Sequence, residues 1–252
     1  MKKELTAHDK ERYGRQMLVD GWSEDGQLKL KNAEVFISGV GGLGSPVSIY
    51  LAVAGVGKIN VCDFDVPELS NLNRQILHHD ARIGINKALS AKETLKILNP
   101  SIEIKEFPCK IEADNVHSLV GNSRIIIDCM DNFATRLILN ECAIAKKIPL
   151  VYASVWGLSG YLSFINVPRT PCLSCIFPEA PPREAKFPVV GATPGVIGCL
   201  EALEVIKYLT GVGRNLENEL LVWDGASVDF KKLPIRANKD CPVCGALRDK
   251  KA

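Results

Sequence analysis

Two groups of residues in this sequence could do chemistry, and spacing makes both recognisable. Gly39-Val40-Gly41-Gly42-Leu43-Gly44 fits a loop that carries a strand into a helix against phosphate groups. Glycines let the backbone approach a phosphate at a helix N-terminus. Asp63 follows about 20 residues later, where a carboxylate can accept hydrogen bonds from ribose hydroxyls. Alone, this pattern suits NAD and ATP equally, and a tight turn with no ligand also fits it. The next segment separates these readings. Asp65, Asn71, Arg74 and Gln75 follow directly, and Lys87 opens the next helix. Cations this dense beside a phosphate loop match a triphosphate better than a pyrophosphate bridge.

The second group is made of cysteines. Cys172-Leu173-Ser174-Cys175 and Cys241-Pro242-Val243-Cys244 are two CxxC pairs with 65 residues between them. At this spacing two thiolates bind one metal, and four thiolates close a tetrahedral zinc site. A redox dithiol would need only one pair. The long separation predicts a metal that staples the tail to the body, a structural role. Cys62, Cys109, Cys129 and Cys142 fall on apolar strand or helix positions and read as buried thiols. Cys199 opens a predicted core helix and is also expected to be structural, while His8, His78, His79 and His117 show no ligand spacing.

An alternation of strands and helices must position these residues. Apolar runs at 35–38, 58–64, 102–107, 124–129 and 150–154 read as strands. Helical periodicity or capping places helices after Ser45, after Asn86, over 113–120 and over 132–146. Such an order predicts a doubly wound α/β fold with a mostly parallel, Rossmann-like sheet. Past residue 154 the rhythm changes. Runs at 161–167 and 220–223 read as antiparallel strands, residues 178–195 as a Pro-rich crossing loop, and 196–209 as a core helix. Residues 226–233 and the cysteine-bearing tail are expected to close one edge. The reading is a single domain: an N-terminal helical segment over 1–33, a nucleotide-binding core over 34–154, a carrier-facing part with the zinc site over 155–245, and a tail over 246–252.

RYGRQ, GVGGLG, YLAVAGVG, DFDVPELSNLNRQ, DCMDN, CLSC, GVIGCLEALEVIKYL and CPVCG occur in order in this chain. Together they resemble the ThiF/MoeB/HesA group of ubiquitin-activating-enzyme-like adenylyltransferases, over about Glu11 to Gly245. The resemblance implies ATP and Mg²⁺ as well as structural Zn²⁺. It implies that Gly41, Gly42, Leu43 and Gly44 contact the nucleotide, with Asp63 on its ribose and Arg74 and Lys87 on its phosphates. Asp131, followed by Asn132, matches the magnesium-associated catalytic carboxylate. Arg15 matches an arginine that family dimers insert into the neighbouring subunit's ATP site, which implies a homodimer.

The implied partner is a small ubiquitin-like sulfur-carrier protein of the MoaD/ThiS type. Its C-terminal carboxylate would attack ATP, with sulfur then supplied by a separate persulfide donor. Relatives that form a covalent adduct carry a cysteine in the crossing loop; alignment on GVIG puts Glu184 near that position here. Alternatives are adenylylation of a peptide or modified tRNA carboxylate, an NAD-dependent oxidoreductase, and a nucleotide-binding scaffold without activity. Net charge of +2 over 252 residues gives no nucleic-acid footprint, and a charged N-terminus without a long apolar run points to a cytoplasmic protein away from membranes.

Overall fold

A computed structural model describes residues 4–180 and 188–247. One eight-stranded sheet runs through it in the order β3-β2-β1-β4-β5-β6-β7-β8. The strands are β1 (Glu34–Ser38), β2 (Lys58–Cys62), β3 (Glu103–Phe107), β4 (Ile126–Asp128), β5 (Leu150–Trp156), β6 (Ser159–Ile165), β7 (Glu219–Asp224) and β8 (Asp229–Pro234). The first five are parallel; β6, β7 and β8 add antiparallel. Helices α1 (Ala7–Arg12), α2 (Gly14–Met17) and α3 (Ser23–Lys31) precede the sheet.

Both faces are covered, which is why the inner strands read as unbroken apolar runs. Side chains alternate across the sheet: Val35, Ile37, Ile127 and Val151 pack on one side, Phe36, Ile126 and Leu150 on the other. The first side holds α4 (Gly44–Ala54), α5 (Lys87–Leu98) and α9 (Ala192–Thr210); the second holds α6 (Val116–Val120), α7 (Phe133–Lys146) and the short α8 (Leu173–Ile176). Helix α9 lies tightly on α4. A Cβ on Gly198 would come within 2.5 Å of Pro46 Cγ and 2.8 Å of the Leu43 carbonyl oxygen, so only hydrogen fits there.

Several expected boundaries shift. Helix α9 begins four residues before the predicted 196, since Pro194 in its first turn gives up an N–H that has no helical partner anyway. The run at 161–167 slides to β6, set by its pairing with β5. Strand β8 closes the edge as expected, but the cysteine-bearing tail does not join it: it turns back to pack beside Ile144 and Val167. Residues 181–187 of the crossing stretch, with Glu184, lie outside the described residues.

Candidate nucleotide site

From β1 the chain runs outward to β2 and β3, and from β4 it runs the other way to β5. The crevice beyond the carboxyl ends of β1 and β4 is therefore the topological switch point, where open α/β sheets bind ligands. The glycine loop leaves β1 on one side, and residues 129–132 leave β4 on the other. They touch: a Cβ on Gly39 (φ +85°) would stand 3.0 Å from the Cys129 carbonyl oxygen.

The loop presents donors. Among the described residues, the N–H groups of Gly41, Gly42, Leu43 and Gly44 donate to no protein acceptor, while Ser45 is the first to bond back, to the Gly41 carbonyl at 3.0 Å. Four adjacent free N–H groups at the start of an 11-residue helix make an anion site. A strap folded over the loop completes it. The Gln75 amide sits 3.4 Å and the Arg74 side chain 3.5 Å from where Cβ atoms on Gly41 and Gly42 would stand, and Pro194 closes on Gly42 from α9 at 3.4 Å. Arg74 is held by the Ser70 carbonyl (3.0 Å) and Asn73 Oδ1 (2.9 Å).

Asp63 sits at the end of β2 with one carboxylate oxygen accepting from Val40 N at 2.9 Å and the other from Asp65 N at 2.9 Å. Burial raises its pKa, opposed by the nearby Lys87 ammonium and these two N–H groups. Lys87 starts α5 almost fully buried, with Asp65 Oδ2 at 3.3 Å. A lysine at a helix N-terminus adds its charge to the positive end of the dipole, and half-exposed Asp65 offsets only part of it. Asn86 caps α5 through Ala88 and Leu89 N–H, and its amide holds the carbonyls of Asp63 and Asp65. It thereby ties the turn after β2 to the start of α5.

In the β4 loop, Asp128 is fully buried, bonded to Arg136 Nη1 at 3.2 Å and to Met130 N at 3.1 Å. It is committed to that ion pair. Asp131 is exposed, has no ion-pair partner among the described residues, and is the free carboxylate of this loop. Behind it, Glu201 of α9 is fully buried with Cys129 Sγ at 3.6 Å from one oxygen and no partner for the other.

The four cysteines come together at the far end of α7. Their sulfurs all lie within 4.8 Å of one another, with Cys172–Cys241 at 3.6 Å, Cys175–Cys244 at 3.5 Å and Cys172–Cys175 at 3.9 Å. Four thiolates around zinc at about 2.3 Å stand about 3.8 Å apart, so the cluster fits a closed tetrahedral site.

A profile of the ThiF family matches residues 13–243. The chain belongs to the ThiF family. This ThiF-family chain is 39% identical over 246 residues to the SAMP-activating enzyme E1 of Haloferax volcanii, covering 96% of this chain and 91% of that protein. It is 37% identical over 250 residues to the sulfur carrier protein adenylyltransferase of Thermus thermophilus, covering 95% and 92% respectively. The crystal structure of E. coli MccB with ATP superposes with a TM-score of 0.83 at 26% identity, over 93% of this chain and 73% of that one.

Within this ThiF-family fold, Gly41, Gly42, Leu43, Gly44, Asp63, Asp65, Arg74, Gln75 and Lys87 converge on one crevice. Asn71 and Asn132 stand at its rim as turn and cap builders: Asn71 Oδ1 accepts from Glu68 N, and Asn132 Oδ1 from Thr135 N. Arg15 does not lie in this crevice. Its neighbour Gln16 bonds the Ala54 carbonyl, at the opposite end of α4 from the glycine loop, roughly 16 Å away along that helix. Two expectations need correction. Cys199 is exposed in the body of α9, because the helix packs through Ile197, Ala202, Val205 and Leu209 and leaves Cys199, with Leu203 one turn on, on its outer side. His78, expected to have no role, is buried with both ring nitrogens bonded. No ligand spacing marks His78; Leu77, buried beside it, is the available sign that this strap turns inward.

Proposed function

We propose that this protein adenylylates the C-terminal glycine carboxylate of a small ubiquitin-like sulfur-carrier protein, using ATP. The observation that carries this reading is the row of four free N–H groups flanked by Arg74 and Lys87, a cradle for a polyphosphate. Relatives at 37–39% identity are named for activating such carriers, which favours a carrier over a peptide or tRNA carboxylate.

The carrier carboxylate is already ionised at neutral pH, so attack on the α-phosphorus needs no base. Its oxygen bonds to phosphorus as the bond to pyrophosphate breaks, leaving an acyl-adenylate. Both reactants are anionic. The protein's part is to align them and neutralise charge: the loop N–H groups and Lys87 hold phosphate oxygens, Arg74 lies over Gly42, and Asp63 faces the ribose with its remaining lone pairs. Asp131 would hold Mg²⁺, which suits one free carboxylate plus phosphate oxygens; when bound, the ion neutralises phosphate charge. Arg15 would enter from a partner subunit of a homodimer, and a separate persulfide donor would supply sulfur. Zinc at Cys172, Cys175, Cys241 and Cys244 would be structural.

The test supplies a purified MoaD/ThiS-type carrier ending in Gly-Gly with ATP and Mg²⁺. Pyrophosphate exchange that depends on the carrier, and a carrier mass increased by AMP, are expected; exchange indifferent to the carrier would overturn the reading. No chain–carrier adduct is expected, because Cys199, though exposed, has its thiol pKa raised by partial burial, the opposite of an activated thiolate.

A further inference from the structure

The Val40 peptide is clamped on both sides. Its N–H donates to Asp63 Oδ2, and its carbonyl faces His78 Nε2 at 3.0 Å. A carbonyl can only accept, so Nε2 carries the proton. Nδ1 therefore keeps its lone pair and accepts from the Ser90 hydroxyl at 2.9 Å. Ser90 lies three residues after Lys87, almost one turn along α5, so His78 links the lysine's helix to the glycine loop.

Without that donor the carbonyl would be left to find a main-chain partner. In a helix the N–H of residue i bonds the carbonyl of i−4, which here would be Gly44 N to Val40 O. That bond would extend α4 backward and consume one of the four free N–H groups. Instead His78 takes the carbonyl, and Gly44 N stays open.

We propose that His78 is a positioning residue for the nucleotide, occupying the Val40 carbonyl so that the N–H groups of the glycine loop remain free for phosphate. This rests on the reading of the loop as an ATP site. The full chain, zinc-loaded, is titrated with ATP by calorimetry, comparing the unmodified protein with His78→Phe, His78→Gln and Ser90→Ala. His78→Phe keeps the volume and loses both bonds; His78→Gln restores an N–H donor. Loss of one such bond should weaken ATP binding about tenfold in His78→Phe, with recovery to within about threefold in His78→Gln. In carrier-dependent exchange, KM for ATP should rise in the same order while KM for the carrier holds. A merely structural histidine would lower stability without this split. A folded His78→Phe protein that binds ATP within about twofold of the unmodified one overturns the proposal, as does a His78→Gln protein no better than His78→Phe. If His78→Phe does not fold, Ser90→Ala decides: weakening of about threefold supports the link, and unchanged affinity refutes it. If the unmodified chain binds no ATP, the nucleotide reading itself fails.

Discussion

Taking this protein from about pH 7.5 to about pH 4.5 puts a proton on His78 in the unfolded chain but not in the folded one. Burial, helped by the Lys87 charge and opposed by the Val40 carbonyl, lowers the imidazole pKa from 6.5 to about 4. Between those values the unfolded chain binds more protons, so stability rises with pH there. The contribution is complete above pH 6.5 and lost as pH falls toward 4. A depression of this size corresponds to on the order of 3 kcal/mol, with little discount for screening because His78 is only 5% exposed. Urea unfolding followed by circular dichroism at several pH values, for the unmodified chain and His78→Gln, isolates the effect. Acid release of a metal from the cysteines is common to both proteins and cancels. Against burial, Lys31 and Thr6 hold the Asp9 carboxyl at about 2, so its share is lost only as pH falls below 3.8, again in both. The stability difference between the two proteins should shift in favour of Gln by about 3 kcal/mol across the window. Parallel curves would refute the buried neutral imidazole.

Lys87→Ala and Asp131→Ala should each cut carrier-dependent pyrophosphate exchange by roughly 10²–10³ with the fold intact, the usual loss when one preorganised charge is removed; rates within a few-fold of the unmodified chain would place the site elsewhere. A mixed dimer of Arg15→Ala and Lys87→Ala chains should regain activity, since one composite site would be whole; no rescue in a verified heterodimer would keep Arg15 out of the partner's crevice. Metal analysis should find one zinc per chain, lost with Cys241→Ser along with several degrees of thermal midpoint; below half an equivalent, the staple is wrong. Burial raises the Glu201 carboxyl well above its ordinary value, so folding holds it neutral while the unfolded chain ionises above pH 4.5. Glu201→Gln should therefore stabilise the protein at neutral pH, with the gain fading as pH falls toward 4.5; a constant difference would show Glu201 ionised in place.

The parallel half of the fold is legible because its strands are buried on both faces and its loops carry glycine, Asn-Pro and capping signals. The glycine loop, Asp63, Lys87 and the CxxC pairs are legible because their chemistry demands fixed spacing. What spacing does not encode is the direction of a side chain in irregular backbone. His78 and Asn86 act through bonds to main-chain carbonyls, which leave no residue pattern. Asp128 and Asp131 look alike in sequence, and only Arg136, eight residues past Asp128 and across a helix turn, assigns one to an ion pair and leaves the other free. Cys199 escapes a sequence reading because α9 carries apolar residues on its outer side too, Leu203 among them, so periodicity does not mark which face is buried.

The crevice lies between β1 and β4, and Phe36 of one strand registers with Ile126 of the other. Everything that forms the floor of the site is thus sealed by a contact spanning 90 positions of chain, after β2, β3 and their helices have been laid down on one side. Closing so long a loop costs entropy before any pairing repays it. During synthesis, a ribosome that has released the first hundred residues has exposed the glycine loop, Asp63 and Lys87 but not the wall that faces them. A nucleotide that binds only the closed crevice would then act as a thermodynamic latch on the finished sheet, stabilising native chains in proportion to the logarithm of its concentration while leaving nascent ones untouched.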